Sequence, residues 1–179
     1  MKTIFGILII VLISFVAINA ETQNQDADYP YLVSSSPEVN NNETLLMETL
    51  TVAVIGASTE DLFSAFLYLM NQSRNGYVSI EKFETDLLSI HTKASQLESN
   101  VSAIVINNNK LSDVKAVLLI AINEIKDSAK NLRHAMENYK ENKKEDGDSY
   151  LNTAALKLAK AGFLIKKAKM NVASNEDSI

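Results

Sequence analysis

The stretch NQSRNGYVSIEKF, residues 71–83, carries side-chain oxygens at the spacing of a metal-binding loop. An EF-hand loop takes calcium with oxygen ligands at positions 1, 3, 5 and 12, and needs glycine at 6 and an aliphatic residue at 8. Counted from Asn71, the chain offers Asn71, Ser73, Asn75, Gly76, Val78 and Lys82. The turn-forming half of the motif is present, but no carboxylate stands at 1, 3 or 5, and a cation replaces the bidentate acid at 12. Lys82 would repel a dication. The expectation is therefore a connector: residues 74–77 turn, Gly76 takes the positive φ of a tight bend, and Ser79 caps the helix that follows. No metal and no cofactor is expected.

Other chemistry is sparse. His91 and His134 are the two histidines, they fall on different predicted helices, and neither has the spacing of a zinc site. Nucleophile and base arrangements need His, Cys or clustered acids, and the chain has no Cys. The neighbouring acids Glu60 and Asp61, or Glu84 and Asp86, suit solvated helix starts and faces. The chain is not expected to be an enzyme. Three N-glycosylation sequons begin at Asn42, Asn71 and Asn100. Asn71, near a predicted helix end, is the best placed of them, and Asn100, read as mid-helix, the worst.

These residues are set in a chain whose first twenty positions, MKTIFGILIIVLISFVAINA, read as a secretory signal peptide. Lys2 supplies the positive charge, residues 4–18 the apolar run, and Ala20 the small residue before Glu21. That run is shorter than the roughly 18–20 apolar residues a spanning helix needs, and no later segment approaches that length. A secreted, extracellular location is expected. Removing the leader takes one lysine and makes the product slightly more acidic than the −5 of the whole chain. Without disulfides, the core alone must hold the domain together.

Residues 21–42 are polar, contain both prolines, Pro30 and Pro37, and show no sustained period; they read as a flexible N-terminal arm. Its one apolar patch, YPYLV at residues 29–33, is the exception and could dock on the domain or on a partner, the domain being the preferred of the two. From Glu43 the pattern becomes helical. Ile80, Phe83, Leu87, Ile90, Ala94, Leu97, Val101 and Ile104 alternate at steps of three and four. Asn107, Asn108 and Asn109 end that helix, and Ser112 with Asp113 start the next, whose stripe runs through Leu111, Val114, Leu118, Ala121, Ile125, Ser128, Leu132, Ala135 and Tyr139. A last helix opens near Ser149 and puts Ala154, Leu158, Ala161, Ile165, Ala168 and Val172 on one face. The first helix is expected to break near Gly56, which would make five helices of four.

Long amphipathic helices with short connections fold back on one another, so residues 43–174 are expected to form an all-α antiparallel up-down four-helix bundle. Residues 175–179 would be a disordered tail. An extended coiled coil is disfavoured, because Leu88, Val105, Val117, Ile122, Ala129 and Met136 widen the stripes beyond a two-stranded seam.

Charge is unevenly spread. Residues 21–86 hold eleven acids against Arg74 and Lys82, whereas residues 149–175 hold Lys157, Lys160, Lys166, Lys167 and Lys169 and no acid. These lysines either complement the acidic first helices or meet a partner protein or an anionic lipid surface. Nucleic acid is disfavoured, since the protein is acidic overall and its basic residues are not interleaved with aromatics.

The leader MKTIFGILIIVLISFVAINA followed by ETQNQ, on a small Cys-free helical body, resembles the secreted salivary-gland proteins of plant-feeding gall midges. That resemblance implies a candidate effector that binds a host protein without catalysis. In layout alone the chain is also similar to the exchangeable insect apolipophorins, whose amphipathic bundles open onto lipid. A secreted non-enzymatic interaction protein is the leading expectation, and a lipid- or hydrophobic-surface-binding bundle the alternative.

Overall fold

The computed structural model describes residues 39–176. Among them are four helices and no strand: α1 (Val39–Arg74), α2 (Ile80–Ala103), α3 (Asn109–Lys140) and α4 (Lys144–Glu176). The expected leader, residues 21–38 of the expected arm, and residues 177–179 of the tail lie outside the described residues.

Each helix end has a local cause. Past Arg74, the Gly76 N–H donates to the Ser73 carbonyl (3.1 Å) and the Tyr77 N–H to the Gln72 carbonyl (3.0 Å), with Gly76 at φ +73°. That is a Schellman cap, in which a left-handed residue lets two amides close the last carbonyls of the helix. The same pair of bonds ends α3, from Asn142 to Tyr139 (3.2 Å) and Lys143 to Asn138 (2.9 Å), with Asn142 at φ 61°. Ser79 caps α2, its Oγ accepting from the Lys82 N–H at 3.3 Å. Asn108 caps α3 by accepting from the Leu111 N–H at 3.1 Å.

Several boundaries differ from the sequence expectation. Asn108, not Ser112 with Asp113, starts α3. The helix α4 begins at Lys144 rather than Ser149, so the polar KEDGD run is its first turn. α1 reaches back to Val39, into the expected arm, and α4 runs on to Glu176, into the expected tail.

The expected break at Gly56 does not occur: α1 is continuous through it. An interior glycine costs a helix about 1 kcal/mol. Val52, Ile55, Leu62 and Phe66 on the same stripe are all buried, each contributing roughly 1.5–3 kcal/mol. Packing therefore overrides the glycine. Thr59, also buried, satisfies its hydroxyl by donating to the Ile55 carbonyl at 2.7 Å.

Cross-helix contacts fix the directions. Glu84 meets Lys140 (2.5 Å) and Glu98 meets Lys126, so α2 and α3 run antiparallel. Lys157 and Lys160 of α4 meet Asp127 and Glu124 of α3, again antiparallel. Along α1 and α3 the order is parallel, Glu48 lying by Asn107 and Gly56 by Leu118. This is the up-down bundle the periodicity implied. Its cross-section is a skewed diamond: α3 touches all three other helices, while α2 and α4 do not touch each other. The α3–α4 seam is the most extensive. Small residues there, Ala121, Ser128, Ala129 and Ala135 against Ala154, Ala161 and Ala168, let the backbones come close, and the buried Ser128 hydroxyl donates to the Ala154 carbonyl at 2.8 Å.

Not every stripe residue is inside. Ile80, Leu88 and Val105, each assigned to the core by periodicity, are largely exposed. Ile80 belongs to the first turn of α2 and Val105 to the α2–α3 connection, where no facing helix covers them.

Candidate interaction surface

The loop at residues 71–83 is arranged around its own hydrogen bonds. Asn75 Nδ2 donates to Asn71 Oδ1 at 3.3 Å, so two of the would-be ligands bind each other. Lys82 turns along α2 to pair with Asp86 at 2.8 Å. Among the described residues no group of three or more His, Asp or Glu side chains converges on a point that could hold a metal.

The two histidines also stay apart in role. Partial burial first, and then the charges of Arg133, Lys126 and Lys130, hold His91 below its ordinary pKa of 6.5. His134 Nδ1 lies 3.1 Å from Glu137 Oε2, and its ring sits 5.3 Å from that of Tyr150. A shallow depression of about 270 Å³ is lined by Glu84, Thr85, Leu88, Arg133, Glu137 and Lys140. Its charges pair among themselves, Lys140 with Glu84 and Arg133 with Glu137 at 3.9 Å.

All three sequon asparagines are exposed and lie at helix ends: Asn42 in the first turns of α1, Asn71 in its last turn and Asn100 in the last turn of α2. Asn100 is therefore not mid-helix, because α2 stops at Ala103 rather than at the asparagine run.

The five α4 lysines do not form one patch. Lys157 donates to Asp127 (2.9 Å) and Glu124 (3.3 Å), and Lys160 to Glu124 (2.7 Å). Hydrogen bonding to Asp127 outweighs partial burial and raises the pKa of Lys157 above 10.5. Lys169, on the other side of α4, pairs with Glu60 of α1 at 2.7 Å. Those three lysines bind the bundle to itself. Lys166 and Lys167 are exposed and form no ion pair with a described residue.

A second set of α4 residues changes what the free lysines can do. Leu156, Phe163 and Met170 recur every seven residues on the outer face and are 68 %, 65 % and 53 % exposed. At 100° per residue they form a line along the helix, opposite the buried Leu158–Ala161–Ile165 stripe, roughly 21 Å long. Lys160 and Lys167 run along one side of the line and Lys166 stands on the other. The sequence reading kept one apolar face per helix and missed this one. Its seven-residue repeat was the available signal.

A further apolar area lies on α1. Leu46, Met47, Leu50 and Val54 face outward from α1, each more than half exposed. They border a groove of about 250 Å³ lined by Met47, Leu50, Thr51, Val54, Ile55 and Ile104. α1 is apolar on both faces and, contrary to the expectation that no segment after the leader approaches spanning length, it is the one described helix long and apolar enough, by length and composition, to cross a membrane. Comparison with models of known protein families, with curated proteins and with solved structures returns no match.

Proposed function

We propose that this chain is a secreted, non-enzymatic interaction protein that binds a partner protein through the outer face of α4. The observation behind this reading is the line of exposed Leu156, Phe163 and Met170 flanked by Lys160, Lys166 and Lys167. A seven-residue apolar repeat with cations beside it is the surface a partner helix with acidic flanks would fit. The resemblance of the leader to gall-midge salivary proteins makes a host protein the partner, and the chain a salivary effector.

The test is a saturable pull-down from host tissue with the mature chain and its Phe163→Glu variant. Phe163 is exposed, so the variant keeps its helicity by circular dichroism. A central anchor of this kind contributes about 2 kcal/mol or more, so binding weakens about thirtyfold or is lost. A partner retained equally by both proteins, or no saturable partner, overturns the proposal.

The lysines favour a second reading, an anionic lipid surface with Phe163 inserted and Lys166 and Lys167 at the headgroups. In that case the protein co-sediments with anionic but not neutral vesicles, salt releases it, and Lys166→Ala with Lys167→Ala weakens it. Absence of binding to either vesicle removes this reading.

A further inference from the structure

Of the two exposed apolar faces, the one on α4 is flanked by lysines and the one on α1 carries no charge across its middle. We infer that the α1 face binds a second copy of this chain, the two α1 helices lying antiparallel about a two-fold axis near Leu50.

The first argument is area. Leu46, Met47, Leu50 and Val54 are each more than half exposed and together present roughly 400 Å² of apolar surface, enough to mark an interaction site. Paired with itself, that patch removes roughly 800 Å² from water; since about 60 % of an interface is non-polar, the whole contact comes to roughly 1,300 Å², within the range of specific dimers. The second argument is charge. From Thr44 to Thr59 the only charged residue of α1 is Glu48, which is buried and bonded to Asn107 and Asn108, so two copies of this face meet without repulsion. Two copies of the α4 face would set lysine against lysine. A lipid surface fits α1 poorly, because a helix lying on lipid carries Lys or Arg along its flanks, and α1 has only Arg74, at its far end, against Glu43, Glu60 and Asp61.

The third argument is symmetry. Glu43 and Asp61 are exposed on the same outward line as Leu50, one at each end of the uncharged run. A parallel pair would set each acid against its own copy. In an antiparallel pair about Leu50, Leu46 faces Val54 of the second copy, Glu43 faces Ala57, and Asp61 passes beyond the apolar contact. The ridge of Leu46 and Leu50, one turn apart, then enters the groove of about 250 Å³ bordered by Met47, Val54 and Ile104 of the second copy. The same patch serves both copies, so the assembly closes at two and leaves α4 free. Each protomer alone keeps the face open, and association follows concentration.

The test is sedimentation equilibrium of the mature chain from about 1 to 200 μM, the span in which a contact of this size at its weak end dissociates. The native protein is expected to pass from monomer to dimer and to form nothing larger. Leu50→Glu puts two acids at the axis and weakens the dimer about a hundredfold or more, whereas Phe163→Glu, on α4, leaves it unchanged. Position 50 is half exposed, so the variant keeps its helicity by circular dichroism. The chain has no cysteine, so single thiols report the orientation. A short bis-maleimide links Leu50→Cys into dimers but not Ala57→Cys, whose two thiols stand about 20 Å apart along the helices in the antiparallel pair. A native chain that stays monomeric throughout, a dimer weakened by Phe163→Glu but not by Leu50→Glu, species that grow past two, or linkage at position 57 overturns the inference.

Discussion

Glu48 is the one charged side chain among the buried described residues, and it sits on the same stripe of α1 as Val52, Ile55 and Phe66. Its Oε1 accepts from the Asn107 N–H at 2.8 Å and from Asn107 Nδ2 at 3.1 Å, and its Oε2 from the Asn108 N–H at 3.0 Å. Those bonds tie the end of the α2–α3 connection to α1 and present Asn108 to cap α3. The backbone donors of Asn107 and then Asn108 lower the carboxyl pKa from 4.5 against the opposing effect of burial. A carboxylate whose folded pKa is depressed stabilises the fold above its unfolded value and loses that contribution as pH falls through the folded one. Urea unfolding of the native chain and of Glu48→Gln is therefore expected to differ most at pH 7, with the variant weaker. The gap should narrow below pH 4.5 and close under strongly acid conditions; a gap independent of pH would show that the charge is not what Asn107 and Asn108 recognise. Glu48 was not legible as a cap in the sequence, because its partners are 59 and 60 residues away. A carboxylate standing in an apolar stripe was the visible sign. Residues 71–83 were easier to read, since Gly76, Ser79 and Lys82 act on neighbours within a few positions.

Within single elements, two glycines in helices α1 and α4 show why a local rule does not fix a local outcome. Gly56 looked like a helix break, yet a Cβ there would meet Leu118 Cδ1 at 3.9 Å, an ordinary contact. Gly56→Ala removes the conformational freedom of glycine without a clash, so it should stabilise the protein by about 0.5–1 kcal/mol and raise the melting temperature by about 2–4 °C. At Gly147, in the first turn of α4, a Cβ would come within 2.7, 2.8 and 2.9 Å of three atoms of the Tyr139 ring. That ring cannot easily swing aside, because its hydroxyl donates to Asp148 Oδ1 at 2.6 Å. Gly147→Ala should therefore cost about 1–3 kcal/mol despite alanine's better helix propensity. Thermal melts of the two variants, moving in opposite directions, check both. The heptad stripes showed which residues of α2, α3 and α4 turn inward, and failed at Leu88 within α2 and at the helix ends. The start of α4 was misplaced because KEDGD has no apolar period, whereas Gly147, Tyr139 and Asp148 fix it by contact.

Across the whole molecule, connection lengths and periodicity sufficed for an up-down bundle, but not for which diagonal closes. That depends on side-chain bulk at the seams. Small residues let α3 and α4 approach closely, and Gly162, whose Cβ would stand 3.0 Å from Phe63 Cζ, lets α1 lie against α4. The result makes α1 and α3 the pair that each touch every other helix, and leaves Leu46, Met47, Leu50 and Val54 of α1 outward while Val52 and Ile55 are buried. Leu50 and Phe163 are as apolar as core residues: the seven-residue repeat in the sequence marks the α4 line, whereas the outward face of α1 is visible only in the packing. The same asymmetry sets the order of local opening. Amides are protected in proportion to the buried contacts that must break to expose them. Hydrogen exchange should therefore be slowest in α3 around residues 118–132, where Leu118, Ala121, Ile122, Ile125, Ala129 and Leu132 are all buried. It should be fastest, among the helices, at the start of α1 near residues 42–47, where exposed side chains predominate. Exchange over residues 42–47 as slow as over residues 118–132 would mean that the exposed side chains at the start of α1 are covered in solution.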